Sequence, residues 1–150
     1  MTVTFCGHSD FHGTDRMEKK ILDYLEEKVG NERAYMYLGG YGGFDSFAYN
    51  CCKKYKMTHT NVSLVFVSPY LIIDCGKNNL RLKEEYDLII YPEIEEKPRK
   101  YAITYRNKYM IEKSDCVVAY VERSFGGAYS TYKHAKRMGK EIFNLAQLEE

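Results

Sequence analysis

The stretch from residue 34 to residue 45, AYMYLGGYGGFD, joins a short apolar segment to four glycines within five residues. Residues 34–38 predict a β-strand, and the apolar positions from Phe44 to Tyr55 recur at the spacing of an α-helix. Glycine accepts backbone conformations that other residues avoid and lets a ligand approach the main chain closely. The pattern is typical of a tight strand-to-helix turn, which either serves the fold alone or binds a ligand where the helix begins. The number of glycines, with a second pair at Gly126 and Gly127, favours ligand binding.

The rest of the chain repeats this alternation of strand and helix. Short apolar segments predict further strands at residues 3–7, 62–67, 87–91, 116–121 and 141–143. Helical spacing predicts further helices at residues 15–29, 98–113 and 128–138, whereas residues 68–85 have no period and predict a surface excursion. Alternating elements with short buried strands predict one α/β domain over residues 1–150. Its expected form is a three-layer sandwich, with a mostly parallel sheet of five to six strands and helices on both faces.

The composition narrows the class of protein. The chain has 22 Lys and Arg against 21 Asp and Glu, and its net charge of +1 argues against binding to nucleic acid or a membrane surface. No apolar run is long enough to span a membrane, and the first residues lack the pattern of a signal peptide. Five cysteines without a C-x-x-C motif predict reduced thiols. We therefore expect a cytoplasmic protein.

Three segments with unusual residues follow predicted strands: residues 6–10, 39–45 and 124–130. Parallel strands end at the same edge of a sheet, and ligands bind along that edge in α/β folds. These segments and the third predicted helix supply the candidate ligand-binding residues, which are Gly7, His8, Gly39, Gly40, Tyr41, Gly42, Gly43, Asp45, Arg106, Ser124, Gly126, Gly127 and Ser130.

The candidate side chains each have two possible roles. Asp45 lies in the first turn of a helix, where it either caps the helix or accepts hydrogen bonds from a ribose or base. His8 either donates to a ligand or fixes its loop, and Arg106 either pairs with a phosphate or forms a surface salt bridge. Ser124 and Ser130 are hydroxyl donors to a ligand or simply parts of a turn and a cap.

Other kinds of site are not supported by the sequence. The glycine spacing is neither G-x-G-x-x-G nor G-x-x-x-x-G-K-[ST], so neither NAD binding by the first motif nor a P-loop is indicated. Cys6 lies near the end of a predicted strand, His8 and His12 follow in a loop, and the three offer no fourth ligand, so we expect no metal site. No cofactor is indicated.

The motifs taken in order resemble the SLOG superfamily of Rossmann-like proteins, which includes DprA and the Lonely Guy phosphoribohydrolases. The chain is most similar to the small, single-domain YpsA-like branch. The matching segments span nearly the whole chain, and they are residues 6–8, 39–45, 106–110, 114–115, 126–135 and 139–140.

This resemblance implies a pocket for a nucleotide or a nucleotide-derived molecule, such as a signalling nucleotide, between the two glycine-rich turns. Some members cleave the N-glycosidic bond of nucleoside monophosphates, DprA binds single-stranded DNA, and SLOG domains in bacterial defence systems sense signalling nucleotides. Relatives are often dimers, and the 15 tyrosines suit an interface. The resemblance therefore also implies a homodimer or a higher homo-oligomer.

The chain departs from the Lonely Guy motif Pro-Gly-Gly-x-Gly-Thr-x-x-Glu at its catalytic position. Ser46 stands where that motif has Glu, and a hydroxyl cannot replace a carboxylate in stabilising a developing positive charge. This departure favours a binding protein over an enzyme and leaves the enzyme alternative open. The alternatives are a nucleoside-monophosphate N-glycosidase or deoxyribosyltransferase, in which Asp45 would be catalytic, and a DprA-like binder of single-stranded DNA.

Overall fold

A six-stranded, entirely parallel sheet forms the centre of the molecule, in the order β4-β3-β2-β1-β5-β6. The computed structural model describes residues 1–70 and 82–147. The strands are β1 (Thr2–Gly7), β2 (Ala34–Leu38), β3 (Val62–Val67), β4 (Leu88–Ile90), β5 (Cys116–Tyr120) and β6 (Glu141–Asn144). The main helices are α1 (Asp15–Lys28), α2 (Gly43–Lys56), α3 (Ala102–Lys113) and α4 (Gly127–Arg137).

The helices cover both faces of the sheet. Successive side chains of a strand point to opposite faces. Val118 of β5 therefore packs in one apolar cluster with Leu25 of α1 and Phe44 of α2, while its neighbour Val117 packs with Ile111 and other residues from α3 and α4. The predicted three-layer sandwich is confirmed.

The strand order reverses beside β1. The chain passes from β1 through β2 and β3 to β4 in one direction, and then places β5 and β6 on the other side of β1. The connections that leave β1 and β5 consequently diverge, which opens a crevice beyond the carboxyl ends of these two strands.

The predicted element limits agree closely with the structure, with one informative difference. β2 and β3 coincide with the predicted strands, and the other strands differ by one residue at either end. The helix expected from Pro98 instead begins with a 3₁₀ turn at Arg99–Tyr101, and α3 starts at Ala102. Tyr101 has φ −107° and ψ 10°, which interrupts α-helical geometry there. Of the predicted excursion at residues 68–85, residues 71–81 lie outside the described residues.

Candidate functional site

A cavity of about 290 Å³ opens at the carboxyl ends of β1 and β5. Four parts of the chain line it: residues 4–9, the turn after β2, the inner side of α3, and the turn from Arg123 into α4. The three segments expected at this edge therefore do meet there, and α3 closes the cavity from the side.

Most of the candidate residues lie on this cavity, and the others have distinct places. Those that line it are Gly7, His8, Gly39, Tyr41, Asp45, Arg106, Gly126 and Gly127. Gly40 borders a second cavity of about 320 Å³. Gly42 and Gly43 pack against the loop after β1, and Ser124 and Ser130 are exposed outside the cavity wall.

The first glycine-rich turn is closed by the loop that follows β1. The N–H of Gly43 donates to the carbonyl of Ser9 at 2.7 Å, and the N–H of Phe44 donates to the carbonyl of His8 at 3.3 Å. These two N–H groups are therefore not free to bind a ligand where α2 begins. A Cβ on Gly43 would lie 2.3 Å from the carbonyl oxygen of Phe11, so glycine here permits close packing of two loops.

The second glycine-rich turn is open. Gly126 has φ +91°, and a Cβ on Gly126 or Gly127 would meet nothing within 4 Å. Within residues 1–70 and 82–147, no hydrogen bond reaches the N–H groups of Gly127 or Ala128, and no side chain caps α4. These N–H groups carry the positive end of the helix dipole, which attracts anions.

His8 fixes the end of β1 to the end of β5. Its side chain is only 5% exposed, and its Nε2 accepts the N–H of Glu122 at 3.0 Å, which places the ring proton on Nδ1. Burial, together with the nearby Arg123, lowers the pKa of His8, which favours the neutral ring. Of its two predicted roles, the geometry supports the loop-fixing one.

Arg106 is a buried clamp and not a surface residue. It is 2% exposed, and its Nη1 donates to the carbonyls of Gly39 at 2.9 Å and Val67 at 2.8 Å, while Nε donates to Asn107. The alternative of a surface salt bridge is therefore wrong. Nη2 has no hydrogen-bond partner among the described residues, and Arg106 lines the cavity, so this nitrogen remains available to an anion.

Asp45 holds the glycine-rich turn before α2, where no side chain caps the helix itself, and it also borders both cavities. Its Oδ2 accepts the N–H of Tyr41 at 2.9 Å. Burial raises the pKa of Asp45 to about 6, although the Tyr41 N–H and the Arg106 guanidinium oppose the shift. An added Cβ on Gly39 would lie 3.2 Å from both the Asp45 carboxylate and the Arg106 guanidinium, so glycine leaves room for both.

Sequence reasoning missed Arg123. It lines the cavity beside the open turn, and its guanidinium forms a bidentate pair with Asp10 at 2.7 and 3.1 Å. Two aromatic side chains stand at the rim, Tyr41 at 65% and Phe125 at 68% exposed, and Arg123 lies 5.7 Å from the Phe125 ring. The available signal was its position directly after a predicted strand and before the second glycine pair.

Comparisons with known proteins agree with this architecture. No family model matches the chain. The chain is similar to DprA from Helicobacter pylori, whose structural study concerns its single-stranded DNA binding, with TM-score 0.64, 23% identity and coverage of 96% of this chain and 64% of that one. It is also similar to DprA from Streptococcus pneumoniae, with TM-score 0.64, 17% identity and coverage of 95% of this chain and 49% of that one. The chain has the Rossmann-like fold of DprA.

Two further proteins resemble the chain. TM1055, a structural genomics target, has TM-score 0.57 and 12% identity, with coverage of 98% of this chain and 78% of that one. An uncharacterized SPbeta prophage-derived protein of Bacillus subtilis strain 168, YoqJ, is 26% identical in an alignment of length 149 that covers 87% of this chain and 87% of that one. The resemblance to the SLOG superfamily is confirmed at the level of the DprA-like fold, and the assignment to the YpsA-like branch stays a prediction.

The position of Ser46 on this DprA-like fold bears on catalysis. Ser46 lines the second cavity and not the first, while its neighbour Asp45 borders both. The residue that replaces the Lonely Guy glutamate is thus separated from the open turn of α4.

None of the described helices is long and apolar enough to cross a membrane.

The contrast between the two turns predicts opposite effects of the same substitution. Gly43 and Gly127 are both the first residue of a helix, but only Gly43 is packed against backbone. Gly43→Ala should lower the free energy of unfolding by roughly 1–3 kcal/mol through overpacking. Gly127→Ala should change it by less than about 1 kcal/mol and in the stabilising direction. Urea unfolding measures both, and equal losses would contradict the open geometry of the second turn.

The raised pKa of Asp45 predicts that the free energy of unfolding decreases as the pH rises. Because the folded state holds this proton more tightly than the unfolded chain does, stability falls as pH rises from the ordinary value of 3.8 to about 6. Asp45→Asn keeps an acceptor for the Tyr41 N–H but removes the carboxyl that titrates. Its free energy of unfolding relative to wild type should therefore rise by about 1–3 kcal/mol as the pH rises over that range. Asp23→Asn on the exposed side of α1 is the control. An Asp45→Asn difference that does not vary with pH would contradict the burial of the carboxyl.

Proposed function

We propose that the protein binds a nucleotide or a nucleotide-derived small molecule, for example a signalling nucleotide, in the cavity at the β1 and β5 ends. The observation that carries this proposal is the open N-terminus of α4, which faces the same cavity as the guanidinium groups of Arg106 and Arg123. Free N–H groups and guanidinium donors together suit a phosphate.

The phosphate is assigned to the second turn, at Gly126 and Gly127, and not to the first. In the first turn the N–H groups of Gly43 and Phe44 already have carbonyl partners, and displacing these would separate two packed loops. In the second turn a phosphate oxygen needs to displace only solvent. Arg106 of α3 lines the same cavity, so a bound anion would have a guanidinium donor in addition to the N–H groups of the turn.

The base and sugar are assigned to the rim and the wall. Tyr41 and Phe125 are exposed rings at the mouth, and stacking of a base on either ring would bury apolar surface of both partners. Asp45 would accept a hydrogen bond from a ribose hydroxyl in its ionised form. The volume of about 290 Å³ lies at the small end of ligand pockets, which fits one nucleotide unit.

A binding module, acting as one cytoplasmic domain and as a ligand sensor, fits the chemistry better than an enzyme. No glutamate stands at the catalytic position of the Lonely Guy motif, and Ser46 borders the other cavity. His8, the other titratable group of the cavity that could move a proton, is engaged through Nε2.

Titration calorimetry with mono-, di- and cyclic nucleotides tests the proposal. We expect saturable binding that Arg123→Gln weakens by about tenfold or more, because a charged hydrogen bond to phosphate is lost. Lys19→Gln on α1 is the control and should bind like wild type. The absence of binding to every nucleotide at millimolar concentration, with folded monodisperse protein, would refute the proposal.

The ion pair between Arg123 and Asp10 predicts that removing the charge of Asp10 raises the affinity for phosphate-containing ligands. Asp10 holds both terminal nitrogens of the guanidinium, so a phosphate must compete with this carboxylate. Asp10→Asn should therefore tighten phosphate-containing ligands several-fold and leave the affinity for the corresponding nucleosides unchanged. Calorimetry with AMP and adenosine makes the comparison, and weaker AMP binding in the variant would show that the ion pair supports the site instead.

One observation favours a second candidate, a nucleoside-monophosphate N-glycosidase or deoxyribosyltransferase. Asp45 lines the cavity, and burial raises its pKa to about 6, a shift that is common among catalytic carboxyl groups. Release of free base from nucleoside monophosphates, abolished in Asp45→Asn, would establish the enzyme. Unchanged nucleotide under conditions where binding saturates would exclude hydrolysis.

A further inference from the structure

The charges of the chain are distributed very unevenly. Residues 97–140 contain eleven Lys and Arg but only three Asp and Glu, a net charge of +8, so the remaining residues carry −7. The net charge of +1 therefore hides a strongly basic region, and it is not a sufficient reason to exclude an anionic polymer as a partner.

Most of these basic residues lie on α3 and α4 or directly beside them in the chain. These helices pack on the same face of the sheet, opposite to α1 and α2. Their only acidic residue is Glu112 at the end of α3. We define the basic face by its cationic side chains, which are Lys97, Lys108, Lys113, Lys133, Lys136, Arg137 and Lys140.

The positive charges of the basic face are not neutralised within the described part of the chain. On the opposite side of the molecule lysines pair with carboxylates, as in Lys54 with Glu18 and Lys56 with Asp87. Within residues 1–70 and 82–147, no member of the basic face forms an ion pair with a carboxylate. The face therefore keeps its full positive field.

Tyrosine rings hold several of these lysines instead. Lys133 lies 5.4 Å from the Tyr129 ring and Lys136 lies 4.9 Å from the Tyr132 ring. On α3, Lys113 lies 5.9 Å from the ring of Tyr109. Each tyrosine precedes its lysine by four residues, one turn of the helix. A cation–π contact orients the ammonium group without cancelling its charge, so the cations are preorganised for an external anion.

We propose that the basic face docks the phosphate backbone of a nucleic-acid strand, at a place separate from the nucleotide cavity. Several cationic side chains without carboxylate partners in one helical layer suit a polyanion, whose phosphates accept such charges. A protein partner would need a buried apolar or aromatic anchor, and here the tyrosine rings are covered by their lysines. Ile103 in the first turn of α3 and Met138 just after α4 are exposed apolar side chains at separate places, which is little for insertion into a lipid surface.

Fluorescence anisotropy with labelled 30-nucleotide single-stranded DNA, RNA and duplex DNA tests the proposal. We expect binding at 50 mM salt to at least one of these polymers and a steep loss by 200 mM salt, since counterion release drives such contacts. The triple variant Lys133→Gln, Lys136→Gln, Arg137→Gln should bind at least tenfold more weakly. The matched control Arg16→Gln, Lys19→Gln, Lys53→Gln has the same net charge and should lose less than threefold.

Three results would overturn the proposal: no binding at 50 mM salt, equal losses in the two triple variants, or binding to anionic vesicles without binding to nucleic acid. A fourth result would be self-association between basic and acidic surfaces, which sedimentation at both salt concentrations detects. A dimer that forms without any polymer, depends on salt and is abolished by the first triple variant would also overturn the proposal. Nucleotide titration of the first triple keeps this question separate from the cavity, because its three substitutions lie outside the cavity wall.

Discussion

The buried guanidinium of Arg106 is the interaction on which the site depends. It joins the carbonyls at the ends of β2 and β3 to a side chain of α3, and so fixes the distance between the sheet edge and the helix that closes the cavity. Because a buried cation without partners is very costly, these bonds must form together with the fold. The same residue lines the cavity, so it would join the stability of the sheet edge to the proposed binding of an anion.

The two glycine-rich turns look alike in sequence but have different physical roles. Near Gly43 the absence of a Cβ lets the loop after β1 come within hydrogen-bond distance of the start of α2. Near Gly127 the same absence leaves the start of α4 uncovered and accessible to a ligand. The turn near Gly43 thus forms part of the packed wall of the cavity, whereas the turn near Gly127 leaves its N–H groups accessible.

The charged side chains are distributed differently in the cavity and in the outer helical layer. The cavity gathers two arginines and one carboxyl group of raised pKa, while the layer of α3 and α4 carries unpaired lysines outward. The cavity and the basic face share the helix α4, whose N-terminus borders the former and whose outer side belongs to the latter. A ligand at the start of α4 and a polymer along its side would therefore contact the same rigid element.

The sequence by itself determined the α/β class, the strand limits within about a residue, and the segments that meet at one edge, because hydrophobic period and glycine placement are local properties. Only the tertiary structure decided which N–H groups stay free, since Ser9 and Gly43 are far apart in the chain and meet only through packing. The same holds for the burial of Arg106 and for the pair between Asp10 and Arg123. Net charge is a sum over the chain, whereas recognition depends on where the fold places each charge.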